Sequence, residues 1–373
     1  MEFICLREDL QKGVQIVERI VSVRTTLPIV GNILFETTKN GLKLSANNLE
    51  VGVEIMIPAK IIKDGAVLVP AKTLAGIVAK LPPEEILFKL KDRGIINLSY
   101  KKSTFNLHGL PADEFPSIPK VKEDKSFKIE AGTLSEMVAW TVFAASTSED
   151  KLILNGVLFD VGKKILRMVA TDGFRLSCKA EKISDVTGET SLIIPTRALN
   201  ELNRILQLVE AGEIKVVAGH DQISFRSKDF YLVSKIIQGK FPDYNQVIPK
   251  KSDTKVKMDS KALLASAERV QVIAASSANI ARFEVKGSEL HMLASAPDVG
   301  NIEEILEVEV KGPEKKAIAF NIRLIIDALK VIGEREITFE VSSPLSPGVL
   351  RPADGADYIY IVMPIRTQET VTA

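Results

Sequence analysis

The chain has 373 residues, 46% of them apolar and 26% charged, an ordinary globular balance with enough apolar side chains for more than one core. Its 49 basic and 48 acidic residues leave a formal charge of +1, which argues against a protein that coats nucleic acid by bulk charge but not against a local basic face. There is no run of about 18 apolar residues, and the start MEFICLREDL lacks the basic opening and apolar stretch of a secretory signal, so a cytoplasmic protein without a membrane span is expected.

The first element, FICLREDLQKGVQIVERIV (3–21), reads as a short strand running into an amphipathic helix. Next come two strands joined by a turn, ILFETTKNGLKLSANN (33–48), where Asn40-Gly41 is a strong hairpin signal. The stretch VLVPAKTLAGIVAKL (67–81) is a strand followed by a second helix. The order then repeats. FKIEAGTLSEMVAWTVFAA (127–145), GVLFDVGKKILRMVATD (156–172) and LIIPTRALNELNRIL (192–206) form a second copy. VKMDSKALLASAERVQVIA (256–274), ARFEVKGSELHMLASA (281–296) and IAFNIRLIIDALKVI (318–332) form a third. Pro70, Pro195 and Asn321 align at spacings of 125 and 126 residues. The apolar sets Leu74/Leu199/Ile325, Ile77/Leu202/Ala328 and Leu81/Leu206/Ile332 then recur at helical spacing on one face. Lysine-rich joins, PKVKEDKS (119–126) and PKKSDTK (249–255), read as linkers. The expectation is three domains, 1–120, 127–250 and 254–373, each with two helices and about eight short strands: an α+β class with antiparallel sheets.

Chemistry is sparse. There is no phosphate-binding glycine loop and no nucleophile elbow. His108, His220 and His291 are scattered without metal-ligand spacing, so no metal and no cofactor are expected. Cys5 and Cys178 read as two ordinary buried thiols. Asp172, in the stretch MVATDGFRLSC (168–178), is the one candidate catalytic acid, with Arg175 or Glu149 beside it. Its slot holds Asn47-Asn48-Leu49 in the first copy and Ala296-Pro297-Asp298 in the third, which favours a turn residue over an enzyme. The acidic run NIEEILEVE (301–309) reads as a solvated sheet face.

Charge on the second helices stands out. Lys72, Arg197 and Arg323 occupy one repeat position, and Lys80, Arg204 and Lys330 lie near the other helix ends, with only Glu201 and Asp327 against them. These six cations are candidate phosphate contacts that read no sequence. At the C-terminus, a strand-like run from Tyr358 ends at Pro364, and Met363, Pro364 and Ile365 are candidates for the wall of an apolar peptide groove.

Taken together with the threefold repeat, the motifs TLPIVGNIL (26–34), ATDGFRL (170–176), KFPDYNQVIP (240–249) and YIVMPIR (360–366) resemble the family of bacterial DNA polymerase III β subunits, the replicative sliding clamps, over essentially the whole chain. The resemblance implies a homodimer: two subunits joined head to tail in a six-domain ring around double-stranded DNA, with helices lining the hole. It implies a non-catalytic processivity factor, with the replicative polymerase, the clamp loader and repair proteins as partners. Carried over by similarity, the partner-peptide pocket is Leu154, Thr171, Gly173, Phe174, Arg175, Leu176, Pro242, Val247, Val362, Met363, Pro364 and Ile365, with Arg366 at the rim and Asn321 and Leu345 nearby. Phe105 and Leu107 would meet Val272 and Ile273 across the dimer junction, and Arg24 joins the DNA-facing set. Phe174, Gln246 and Leu324 depart from the family, where His, Arg and an aromatic residue often stand, so the pocket here is expected to be more apolar. An open DNA-binding patch is the competing reading; it predicts binding that does not depend on DNA ends.

Overall fold

The computed structural model describes residues 1–21, 28–91 and 94–366. Among the described residues each repeat contributes nine strands, one more than expected, and two helices. The helices are α1 (Arg7–Glu18) and α2 (Ala71–Val78), α3 (Ala131–Val142) and α4 (Thr196–Leu208), and α5 (Ser260–Ala274) and α6 (Ile322–Ile332). The apolar spacing is what makes them: α1 buries Leu10, Val14 and Val17, and α6 buries Ile322, Ile325, Ile326 and Leu329. First-turn acids or a side-chain cap favour the starts of two of them. Glu8 and Asp9 sit in the first turn of α1, and Asp259 accepts the amide of Ala262 at the head of α5.

The backbone divides into two compact units that cut across the repeats. One comprises Met1–Ser135, Ile183–Thr190 and Arg197–Ile237; the other comprises Glu136–Lys182, Ser191–Thr196 and the residues from Gln238 on. The reason lies in strand pairing. The last strand of the second repeat, Phe230–Lys235, adds antiparallel to Val51–Ile57 of the first, making one nine-stranded sheet. The last strand of the third repeat, Tyr358–Val362, adds in the same way to Arg175–Lys182 of the second, making another. Each unit also holds a smaller sheet, of five strands in the first and four in the second. Phe3, Phe35 and Phe88 stack in the core of the first unit, and Phe283, Phe320 and Phe339 meet edge-on in that of the second.

The same rule leaves two strands without the neighbour their equivalents have. Ser103–His108, the last strand of the first repeat, ends the five-stranded sheet. Gly300–Glu307, the third repeat's counterpart of Val51–Ile57 and Arg175–Lys182, ends the four-stranded sheet. No helix among the described residues is long and apolar enough to cross a membrane.

Candidate functional site

The site in the second unit is built on the turn that follows strand Ile165–Thr171. Asp172 Oδ1 accepts the amides of Phe174 (2.8 Å) and Arg175 (3.0 Å). Thr171 Oγ1 donates to the Arg175 carbonyl at 2.6 Å and accepts the Gly173 amide at 3.1 Å. Gly173 has φ of +95°, a conformation that costs a residue with a Cβ. In the first repeat Asn48 does the same work, its Oδ1 taking the amides of Glu50 (3.0 Å) and Val51 (2.8 Å). An amide therefore suffices for the turn. The second oxygen of Asp172 is spent on Arg175 Nε at 3.0 Å, and its carbonyl accepts from Lys151 Nζ at 3.0 Å. With both oxygens engaged in shaping the chain, Asp172 is a turn residue, as the repeat comparison expects.

Beside the turn lies a cavity of 180 Å³, lined by Leu154, Thr171, Gly173, Arg175, Leu176, Pro242, Val247 and Met363 from the expected set. Phe241, Asp243, Tyr244 and Ile361 complete it, and sequence reasoning missed them. All four stand inside motifs that carry the family resemblance, Phe241, Asp243 and Tyr244 in KFPDYNQVIP and Ile361 in YIVMPIR. Asp243 caps the short helical turn Tyr244–Gln246, accepting from the Asn245 amide at 3.2 Å and Gln246 Nε2 at 3.1 Å, and these bonds hold its carboxyl below the usual range. Tyr244 reaches Asp160 at 3.4 Å, and burial pushes its phenol up. The polar groups of the wall are thus largely satisfied within the protein, and what the cavity offers a ligand is mainly apolar surface.

Other expected pocket residues stand elsewhere. Val362 is fully buried in the core and pairs with Arg175 and Gly348, so it supports the wall without forming it. Phe174 is 64% exposed at the mouth; its carbonyl accepts the Met363 amide at 2.9 Å, tying the turn to the C-terminal segment. The equivalent bond in the first repeat runs from Lys235 to Glu50. There, however, Asn47 donates to the carbonyls of Pro116 and Ser117, and Ile118 packs over Gly52, so the chain fills the space itself. Pro364 is half-buried and Arg366 exposed, while the Ile365 amide donates to Ala319 at 2.7 Å. Asn321 caps α6 through Arg323, and Leu345 is exposed.

The cations divide. Lys72, Lys80, Arg197 and Arg323 are exposed; Lys330 is exposed but paired with Glu268 at 2.9 Å. Arg204 corrects the expectation. Its guanidinium donates to the carbonyls of Gln15 (2.7 Å) and Ile16 (3.0 Å) in the last turn of α1, and to Glu201 at 3.0 Å. It is a helix tie and is not free for phosphate. Arg24 lies outside the described residues. At the two free edges, Phe105 and Leu107 alternate half-buried along Ser103–His108, and Val272 and Ile273 stand at the end of α5, Val272 being 71% exposed. No His/Cys/Asp/Glu group among the described residues could hold a metal ion. Cys5 and Cys178 are free and buried.

Comparison with known proteins gives this repeated α+β chain, with its apolar cavity and exposed helix cations, a class: the DNA clamps. Family models for the N-terminal, central and C-terminal domains of the DNA polymerase III β subunit match residues 1–119, 128–243 and 245–366. The chain is 33% identical to a β sliding clamp from Synechocystis over 98% of its length and 99% of the relative's. It superposes on the DNA polymerase III β subunit of Thermotoga maritima with a TM-score of 0.91 at 31% identity, covering 98% of this chain and 99% of that one. A Pseudomonas aeruginosa sliding clamp bound to griselimycin matches at 0.92 and 30% identity, covering 98% and 100%. The chain belongs to the bacterial DNA polymerase III β subunit family. It has the three-domain clamp fold and functions as a DNA sliding clamp, the processivity factor and a non-catalytic subunit of the replicative polymerase.

Proposed function

We propose that three domains, 1–120, 127–250 and 254–373, meet those of a second copy head to tail and close a ring around duplex DNA in the cytoplasm. One observation carries this reading. Twice within the chain, the last strand of one repeat adds to the fourth strand of the repeat before it, and the two strands still lacking that neighbour are Ser103–His108 and Gly300–Glu307. Two copies satisfy both edges at once, which removes a standing aggregation hazard. Charge supports the match: Lys101 and Lys102 precede the first edge, and Glu303, Glu304 and Glu307 lie on the second. Phe105 and Leu107 would then pack near Val272 and Ile273.

In this reading Lys72, Lys80, Arg197, Arg323 and Lys330 face the DNA. Scattered phosphate contacts hold it without reading sequence, so the ring can slide. The cavity beside Thr171–Arg175 takes apolar anchors from the polymerase catalytic subunit, the clamp loader and repair proteins. A polymerase held there rebinds at a high effective concentration.

The test is retention on a nicked circular plasmid after loading with the clamp loader and ATP. Release when the circle is cut supports a closed ring. Equal retention on circle and linear DNA refutes it in favour of an open binding patch.

A further inference from the structure

Arg175 forms part of the cavity wall, yet its charge is held from outside the cavity. Its side chain is only 12% exposed. Nε binds Asp172 Oδ2 at 3.0 Å, and Nη1 binds Asp327 Oδ2 on α6 at 2.7 Å. The guanidinium also lies 5.5 Å from the centre of the Phe143 ring. A planar group bonded along two edges to two carboxylates has its orientation fixed. Asp172 in turn holds the amides of Phe174 and Arg175, and the Phe174 carbonyl holds the amide of Met363, which also lines the cavity. The same helix is tied in again where Tyr360 donates to the Leu324 carbonyl at 2.7 Å.

Asp327 does not line the cavity. We propose that Asp327 is a positioning residue for the pocket: from α6 it sets the plane of Arg175, and through Asp172 the shape of the binding turn. This rests on the reading of the cavity as the partner site. Without Asp327, Arg175 keeps Asp172 at Nε but loses its partner at Nη1, so its guanidinium is held less firmly and a ligand must order that edge of the wall at its own expense. A plain surface ion pair would stabilise the fold slightly and leave ligand affinity alone.

The test uses the full-length protein and griselimycin as the probe, with calorimetric titration of the wild type, Asp327→Ala and Asp327→Asn. Groups sharing one network couple measurably. The Ala variant is therefore expected to bind roughly fivefold more weakly, and the Asn variant, which keeps an accepting oxygen, about twofold. Hydrogen exchange in the free protein gives a second readout: the amides of Phe174 and Arg175 should exchange faster in both variants, with α6 protection unchanged. If the Ala variant does not fold, the Asn variant and its exchange rates decide. Wild-type affinity in the variants, with unchanged exchange at Phe174 and Arg175, overturns the proposal and leaves the pocket standing. A wild-type protein that ignores griselimycin removes the pocket reading, and the proposal with it.

Discussion

Arg197 and Arg204 are both cations on α4, and charge pattern alone gives them one role. The structure separates them. Arg204 donates three hydrogen bonds, two of them to carbonyls of the last turn of α1, where a helix leaves acceptors unpaired and its dipole favours a cation. Its third partner, Glu201, is 9% exposed and would be left with Arg19 alone, at 3.3 Å. Bonds to charged groups each contribute about 1.5–3 kcal/mol, and water can replace part of the loss at a helix end, so Arg204→Ala should cost about 2–4 kcal/mol. In a unit of this size that lowers the melting midpoint by roughly 4–16 °C. Arg197 is exposed, and Arg197→Ala should leave the midpoint almost unchanged. DNA affinity reverses the order. Fluorescence anisotropy with a duplex at several salt concentrations should show Arg197→Ala reducing the salt slope by about 0.9, and Arg204→Ala leaving it alone. An unchanged midpoint with a reduced slope for Arg204→Ala would refute the assignment.

His291 lies between Glu303 at 2.8 Å and Glu289 at 2.9 Å, and the bonds to these carboxylates raise its pKa against the opposing effect of burial. A raised folded value means the stabilisation is present below the unfolded pKa of about 6.5 and is lost as pH rises through the folded value. The gap in melting temperature between wild type and His291→Gln should therefore be wide at pH 6 and close toward pH 9; a gap that widens with pH would contradict the sign. Burial pushes the thiols of Cys5 and Cys178 up to about 12. Ellman's reagent should find neither in the native protein and two after denaturation; fast native labelling would refute their burial. Asp172→Asn should keep the turn, as Asn48 does, whereas Asp172→Ala should cost about 1 kcal/mol in a denaturant titration by leaving two amides unpaired. Equal stability of the two variants would show that the side chain does not hold the turn.

What the sequence reveals depends on where the physical cause lies. The helices and the repeat are legible because burial imposes its period locally: Leu74 and Val78 lie one turn apart, and Leu199 and Ile325 recur at the same repeat position. The turn is legible for the same reason, since Asp172 and Gly173 act on their own neighbours. Arg204 was misjudged because its partners, Gln15 and Ile16, stand nearly two hundred positions away, and no local pattern says which cation turns toward another helix. Tyr244 and Ile361 are not legible as pocket residues because each reads locally as part of a loop or a core strand; Ile361 is brought to the cavity where Tyr358–Val362 adds to Arg175–Lys182. That pairing between repeats is present at both turns, so the open cavity beside one of them has a more local cause. Beside Asn48, Asn47 draws in Pro116 and Ser117, and Ile118 covers Gly52. Beside Asp172, Thr171 bonds back into its own turn and the space stays open. A repeated scaffold thus acquires a cavity beside one of these two turns through a local change in where a side chain finds its hydrogen bond.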